Sequence, residues 1–198
     1  MRQHVLAMHN YESAHREFPK SDMNGLSWRV HLLPFLEMGH LYDQFNLDEP
    51  WDSPHNIALL DQMPPCYDCP SLALPPGMTV YQVPFSRLNP NSPEQDFGWA
   101  SMFDDSDHGV SFADIPDGTS FTIAILEVDQ SAAVEWTRPA DWEFDPNNSM
   151  HDLGNVHPGI ILIGTADGAV QAISNDTPPE EIKALITRAG GEIVQIPY

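Results

Sequence analysis

Basic residues are what this sequence has least of: eight Lys+Arg stand against 29 Asp+Glu in 198 residues, a net charge of −21. A surface of that sign repels nucleic-acid phosphates and anionic lipid, so nucleic acid is excluded as a partner. It attracts cations and basic partners and keeps a chain soluble in salt; a solvated acidic surface is the plainer of these readings. No run of about 20 apolar residues occurs, so no segment reads as a membrane span. No secretory signal is visible. The chain opens directly into the helical pattern Met1 to Tyr11, which reads as the start of a fragment of a longer protein.

Cysteine is nearly absent too. Cys66 and Cys69 form one C-x-x-C with no second pair, short of the four ligands of a structural zinc site. Their flanks, Pro64-Pro65 and Pro70, read as loop rather than the strand-to-helix junction of a thioredoxin-like motif. A local disulfide and two free thiols both remain open. Also missing are His-Glu-x-x-His, Gly-x-Ser-x-Gly, a phosphate-cradling loop and a dinucleotide fingerprint. The histidines are scattered, and His151 and His157, six apart, do not make a helical zinc spacing.

What is present is an ordered, loop-rich pattern of one domain over 1–198, with loop-rich insertions at 84–113 and 137–156. The 19 prolines, close to twice the ~5% average share, read as rigid turns. Helical spacing of Val5, Leu6, Met8, Tyr11 and Ala14 predicts a helix over 1–17, ended by Phe18-Pro19. A second helical region covers 27–46, with Ser27 as cap and a break at Pro34. Ser53-Pro54 predicts a third helix to Met63. Strands are expected over 79–83 and 121–128, with Ala132–Trp136 as hairpin partner of the latter. Asp167-Gly168 between the apolar runs 159–164 and 169–173 predicts a second hairpin. Thr177 is expected to cap a last helix to Ala189, and 193–196 to close as a strand. Helices first and strands after argue α+β with an antiparallel sheet.

Several stretches then agree in order with one family. His157 is followed, nine residues on, by Asp167-Gly168. Leu6 to Tyr11 with Phe18-Pro19, Leu26 to Val30, Asp48-Glu49-Pro50-Trp51-Asp52, and Asp114 to Ser120 with its Asp117-Gly118-Thr119-Ser120 turn complete the set. Together they resemble a planctomycete pseudopilin G-like family of unknown function with a His-x9-Asp-Gly motif near its C-terminus. Phe121 departs from the asparagine expected after that turn. The resemblance implies a pilin-like fold, with the N-terminal helix packed on an antiparallel sheet and long irregular loops. It implies an extracytoplasmic place at the cell surface or secretion apparatus, with protein partners there. The membrane would be met only through an N-terminal helix that this chain lacks.

Three groups of residues are candidates for chemistry. His157 and Asp167 stand at the two ends of one predicted strand, as a ligand or base, or simply as turn residues. Asp104-Asp105-Ser106-Asp107 supplies oxygen ligands for calcium, strengthened by the calcium loop of pseudopilin G proteins, against the reading of a solvated acidic loop. Glu127, Glu135, Asp141 and Glu143 lie near Trp136 and Trp142, as in a glycoside cleft. The leading function is a structural or interaction protein. The alternatives are a hydrolase of glycosides or esters using Glu127, His157 and Asp167, and a glycan-binding module using Trp99, Trp136 and Trp142.

Overall fold

In a computed structural model that describes residues 1–88 and 99–192, helix α1 (Arg2–His15) buries His4, Val5, Ala7, Met8 and Tyr11, the stripe that its sequence spacing marks. It ends at Arg16, whose left-handed backbone (φ 68°) closes the last turn onto the Glu12 carbonyl. Among the described residues, no helix is long and apolar enough to cross a membrane.

The following region is broken rather than one helix. Asn24-Gly25, both at positive φ, turn a small hairpin between β1 (Asp22–Met23) and β2 (Leu26–Ser27). Ser27 then caps α2 (Trp28–His31), its side chain accepting from the Arg29 amide. Pro34 enters a 3₁₀ turn over Leu33–Leu36, and α3 (Gly39–Tyr42) follows. The helix expected from Ser53 is 3₁₀ over Asn56–Gln62. Its N-cap is His55 and not Ser53, although Ser53 Oγ accepts from the Asn56 backbone amide, and the Asn56 side-chain amide reaches back to the carbonyls of Asn46, Glu49 and Pro50. That tertiary tie holds the segment in place of a continuous α-helical ladder.

The main sheet has four strands in the order β11-β10-β7-β4, all antiparallel: β4 (Tyr81–Gln82), β7 (Ile123–Glu127), β10 (Ile160–Thr165) and β11 (Val170–Ser174). Every residue of β7 is buried, as a central strand requires. Helix α1 lies on β10 at Gly164, where a Cβ would stand 2.6 Å from both Val5 Cγ1 and Ile125 Cγ2. Glycine is therefore what lets the helix approach the sheet. The fold is thus mixed α+β with its N-terminal helix on a sheet.

Two expectations fail here. Ala132–Trp136 is not the partner of β7: β8 (Val134–Glu135) pairs instead with β3 (Met78–Thr79). The 3₁₀ turn at Gln130–Ala132 carries the chain away from β7, and Trp136 donates its indole N–H to the Leu60 carbonyl. The last helix, α4 (Pro179–Ile186), is not capped by Thr177, whose buried hydroxyl has no partner among the described residues. Pro179 at its first turn and Glu180 and Glu181 beside the helix N-terminus start it instead. The stretches 84–113 and 137–156 meet each other, since β5 (Pro84–Ser86) pairs in parallel with β6 (Phe103–Asp104) and β9 (Trp142–Glu143). The strand expected over 193–196 lies outside the described residues.

Candidate functional site

The β10–β11 hairpin sets the positions of the two motif residues. At its turn, Gly168 has φ +91° and packs against His9 of α1. Asp167 is held from three sides: Ser120 Oγ donates at 2.6 Å, Thr165 Oγ1 at 2.6 Å and the Ala169 amide at 3.1 Å. Its own amide donates to the Thr119 carbonyl. Burial pushes the Asp167 carboxyl up, but these hydrogen bonds outweigh it and hold the group below its ordinary value. On the other side, Asp117 Oδ1 accepts from the Gly191 amide. Gly118 takes φ +100° in the turn between them. The Asp117-to-Ser120 turn and the Asp167-Gly168 turn are therefore one knot that ties α1, β7, the hairpin and the segment after α4. Phe121, the residue out of pattern, points out at 42% exposure.

His157 stands at the other end of β10, roughly 20 Å away at about 3.3 Å per strand residue. Its Nε2 approaches Glu127 Oε2 to 2.9 Å. The contact is close but not aligned, since among the described residues that oxygen has no hydrogen-bond partner. The other oxygen of Glu127 accepts from Cys69 Sγ at 3.1 Å. Of the three hydrolase candidates, the fold brings Glu127 and His157 together and places Asp167 apart from both.

The order in this cluster decides its chemistry. The carboxylate sits between thiol and imidazole, whereas nucleophile activation needs the imidazole in the middle. Burial, and then Glu127, push the Cys69 thiol up, the opposite of what a nucleophilic thiolate needs. Burial also pushes the Cys66 thiol up. Both cysteines are unpaired thiols.

Two carboxylates of the acidic loop are spent on the protein itself. Asp104 is buried and its carboxylate meets Arg188 at 2.6 Å, while its other oxygen accepts from the Ser106 amide at 2.9 Å. Asp105 accepts from the Leu88 amide, and the Asp107 carbonyl accepts from Lys20 Nζ. Gly109 closes the loop against the Phe18 carbonyl, with its amide on Glu17. Among the described residues, no three His, Cys, Asp or Glu side chains converge as metal ligands. An aspartate neutralised by a buried arginine offers calcium little, so Asp104 as placed does not fit that ion.

The carboxylates near tryptophan are dispersed likewise. Asp141 is buried and meets Arg29 NH2 at 2.8 Å. It also accepts from Ser21 Oγ, Trp28 Nε1 and the Val83 amide. Arg29 completes its fork on the Tyr81 carbonyl and Ser27 Oγ. Burial pushes the Asp141 carboxyl up against the pull of Arg29 and these donors. Glu143 meets Arg87 and Glu135 meets Arg138 at the surface. Trp136 and Trp142 are 0% and 3% exposed, so they form no sugar-binding platform; Trp99, at 43%, is open. Sequence reasoning missed Arg29 and Arg188 as buried anchors. Their signal was scarcity: in a chain with eight cations, each is valuable as a partner for buried carboxylates.

Comparison with known proteins adds one match. A family model described as "Protein of unknown function (DUF1559)" covers residues 1–148. His157 and Asp167 lie beyond that span. No curated protein and no solved structure matches the chain.

Proposed function

The chain belongs to the DUF1559 family of unknown function, and from that premise we propose that it is the extracytoplasmic, pilin-like domain of a pseudopilin G-like surface protein of the planctomycete type. Its role is structural, meeting protein partners at the cell surface or in a secretion apparatus. The observation that carries this reading is the helix laid on the antiparallel sheet. Val5 closes on Gly164 and His9 on Gly168, and the motif turns Asp117-to-Ser120 and Asp167-Gly168 lock that contact. The two turns of the motif set thus fix a scaffold, while His157 stands apart from them on Glu127.

The test is surface labelling. Antibodies against this domain are expected to label intact cells of the source organism. Labelling only after permeabilisation would overturn the extracytoplasmic assignment. A second reading, a hydrolase of glycosides or esters, draws on the Glu127–His157 contact. Turnover of a chromogenic glycoside or ester that disappears in Glu127→Gln would establish it, and no turnover between pH 4 and 9 would remove it.

A further inference from the structure

Trp99 is at 43% exposure while Trp28, Trp136 and Trp142 are buried, yet it is held firmly. Its carbonyl accepts from Ser86 Oγ at 3.3 Å. Its ring carries Lys183 Nζ of α4 3.9 Å from the centroid. An exposed indole fixed both by its backbone and by a cation–π contact is pre-organised, which lowers the entropy cost of binding something against it. Trp99 borders an open hollow of about 200 Å³ with Ser86, Arg87, Phe144 and Pro146. Lys183 does not line that hollow. The volume falls below the roughly 300 Å³ at which drug-sized pockets begin, room for one ring rather than several.

Charge narrows the ligand further. Arg87 sits at the rim of the hollow in a chain with only eight Lys+Arg. Glu143 takes its Nε at 2.7 Å; among the described residues, its two Nη groups donate to nothing. A guanidinium edge with paired donors matches a carboxylate by two parallel hydrogen bonds. A flat apolar surface beside such an edge suits a ring with an apolar C–H face, a carboxylate at one side and hydroxyls left in water.

We propose that this hollow binds one carboxylate-bearing sugar residue, a hexuronate unit of an acidic glycan, with Trp99 under the ring and Arg87 on the carboxylate. The site is independent of the scaffold reading above and of where the chain resides. It uses neither Glu127 nor His157.

The experiment is calorimetric titration of the full chain with a galacturonate trisaccharide, a neutral glucose trisaccharide and benzoate. Saturable binding of galacturonate is expected, tighter than that of the other two. Arg87→Gln is expected to weaken galacturonate by about tenfold or more, the worth of a charge-assisted hydrogen bond, and to leave the neutral sugar unchanged. Trp99→Ala is expected to abolish binding of both sugars with melting temperature retained, since both side chains are exposed. Equal affinity for the neutral and acidic sugars, or an Arg87→Gln variant that binds galacturonate unchanged, would overturn the carboxylate assignment. Tighter binding of benzoate would overturn the sugar, and absence of saturable binding would overturn the site.

Discussion

In β7, β10 and β11 the chain satisfies its backbone in strand ladders and fills the space with Ile123, Ile125, Leu126, Ile161, Ile163 and Ile173. Elsewhere among the described residues the strands are two or three residues long, many of the turns are 3₁₀, and buried charges lie among the apolar side chains. Here Arg29 and Asp141 are both buried, with Ser21, Ser27, Trp28, Tyr81 and Val83 completing their hydrogen bonds. Arg188 and Asp104 repeat the device next to β6. Where ladders are too short to occupy the backbone, a buried charge with many donors and acceptors gathers the loose carbonyls and amides. The sheet region needs shape; the loop region needs satisfaction.

Removing one partner of the buried pair tests that contrast most severely. Arg29→Met should cost about 3–5 kcal/mol in urea denaturation, because it leaves Asp141 buried and uncompensated. The double replacement Arg29→Met/Asp141→Leu should recover part of that loss. Equal costs for single and double variants would show that packing, not charge satisfaction, dominates there. In the sheet region, Gly164→Ala should cost about 1–3 kcal/mol through its clash with Val5 and Ile125. Val5→Ala in the same chain should restore some stability, which a double-mutant cycle would read.

Asp167 gives a smaller effect, with a pH signature. Its folded value lies below the ordinary one, so its contribution is present above about pH 4 and is lost as pH falls through the folded value. Asp167→Asn should lower stability at pH 6 by no more than about 1 kcal/mol, since the group is exposed to solvent screening. The gap between the two proteins should close below about pH 4; a gap that widens in acid would reverse the sign argued here. The smallest effect is chemical. Burial raises both thiols, so a maleimide should modify native Cys66 and Cys69 slowly at pH 7 and rapidly after unfolding. Fast labelling of native Cys69 would contradict the closed Cys69–Glu127 contact.

Much of the sheet region is legible in the residues. The two apolar runs and the Asp167-Gly168 turn mark the β10–β11 hairpin because a two-stranded ladder is a local structure, and the spacing of Val5, Met8 and Tyr11 marks α1 for the same reason. The pairing of β8 with β3 is not legible: it joins residues more than 50 apart, and nothing in Ala132–Trp136 distinguishes that partner from β7. The candidate site divides in the same way. Glu127 at the end of an apolar strand is visible as an oddity, but its neighbours Cys69 and His157 come from distant loops. The acidic loop reads as a cation cage only while Arg188, 84 residues away, is out of view.

The sequence by itself determined the sign of the surface, the location of α1 and of the β10–β11 hairpin, and the turns that only Asn-Gly and Asp-Gly make easily. These depend on neighbours a few residues apart, where spacing and backbone sterics decide. Tertiary structure alone decided which carboxylates are spent and which are open. Whether an aspartate is a ligand, an anchor or a solvated surface group depends on the one cation that reaches it through space. In a chain with 29 acids and eight bases, that choice is made by the fold.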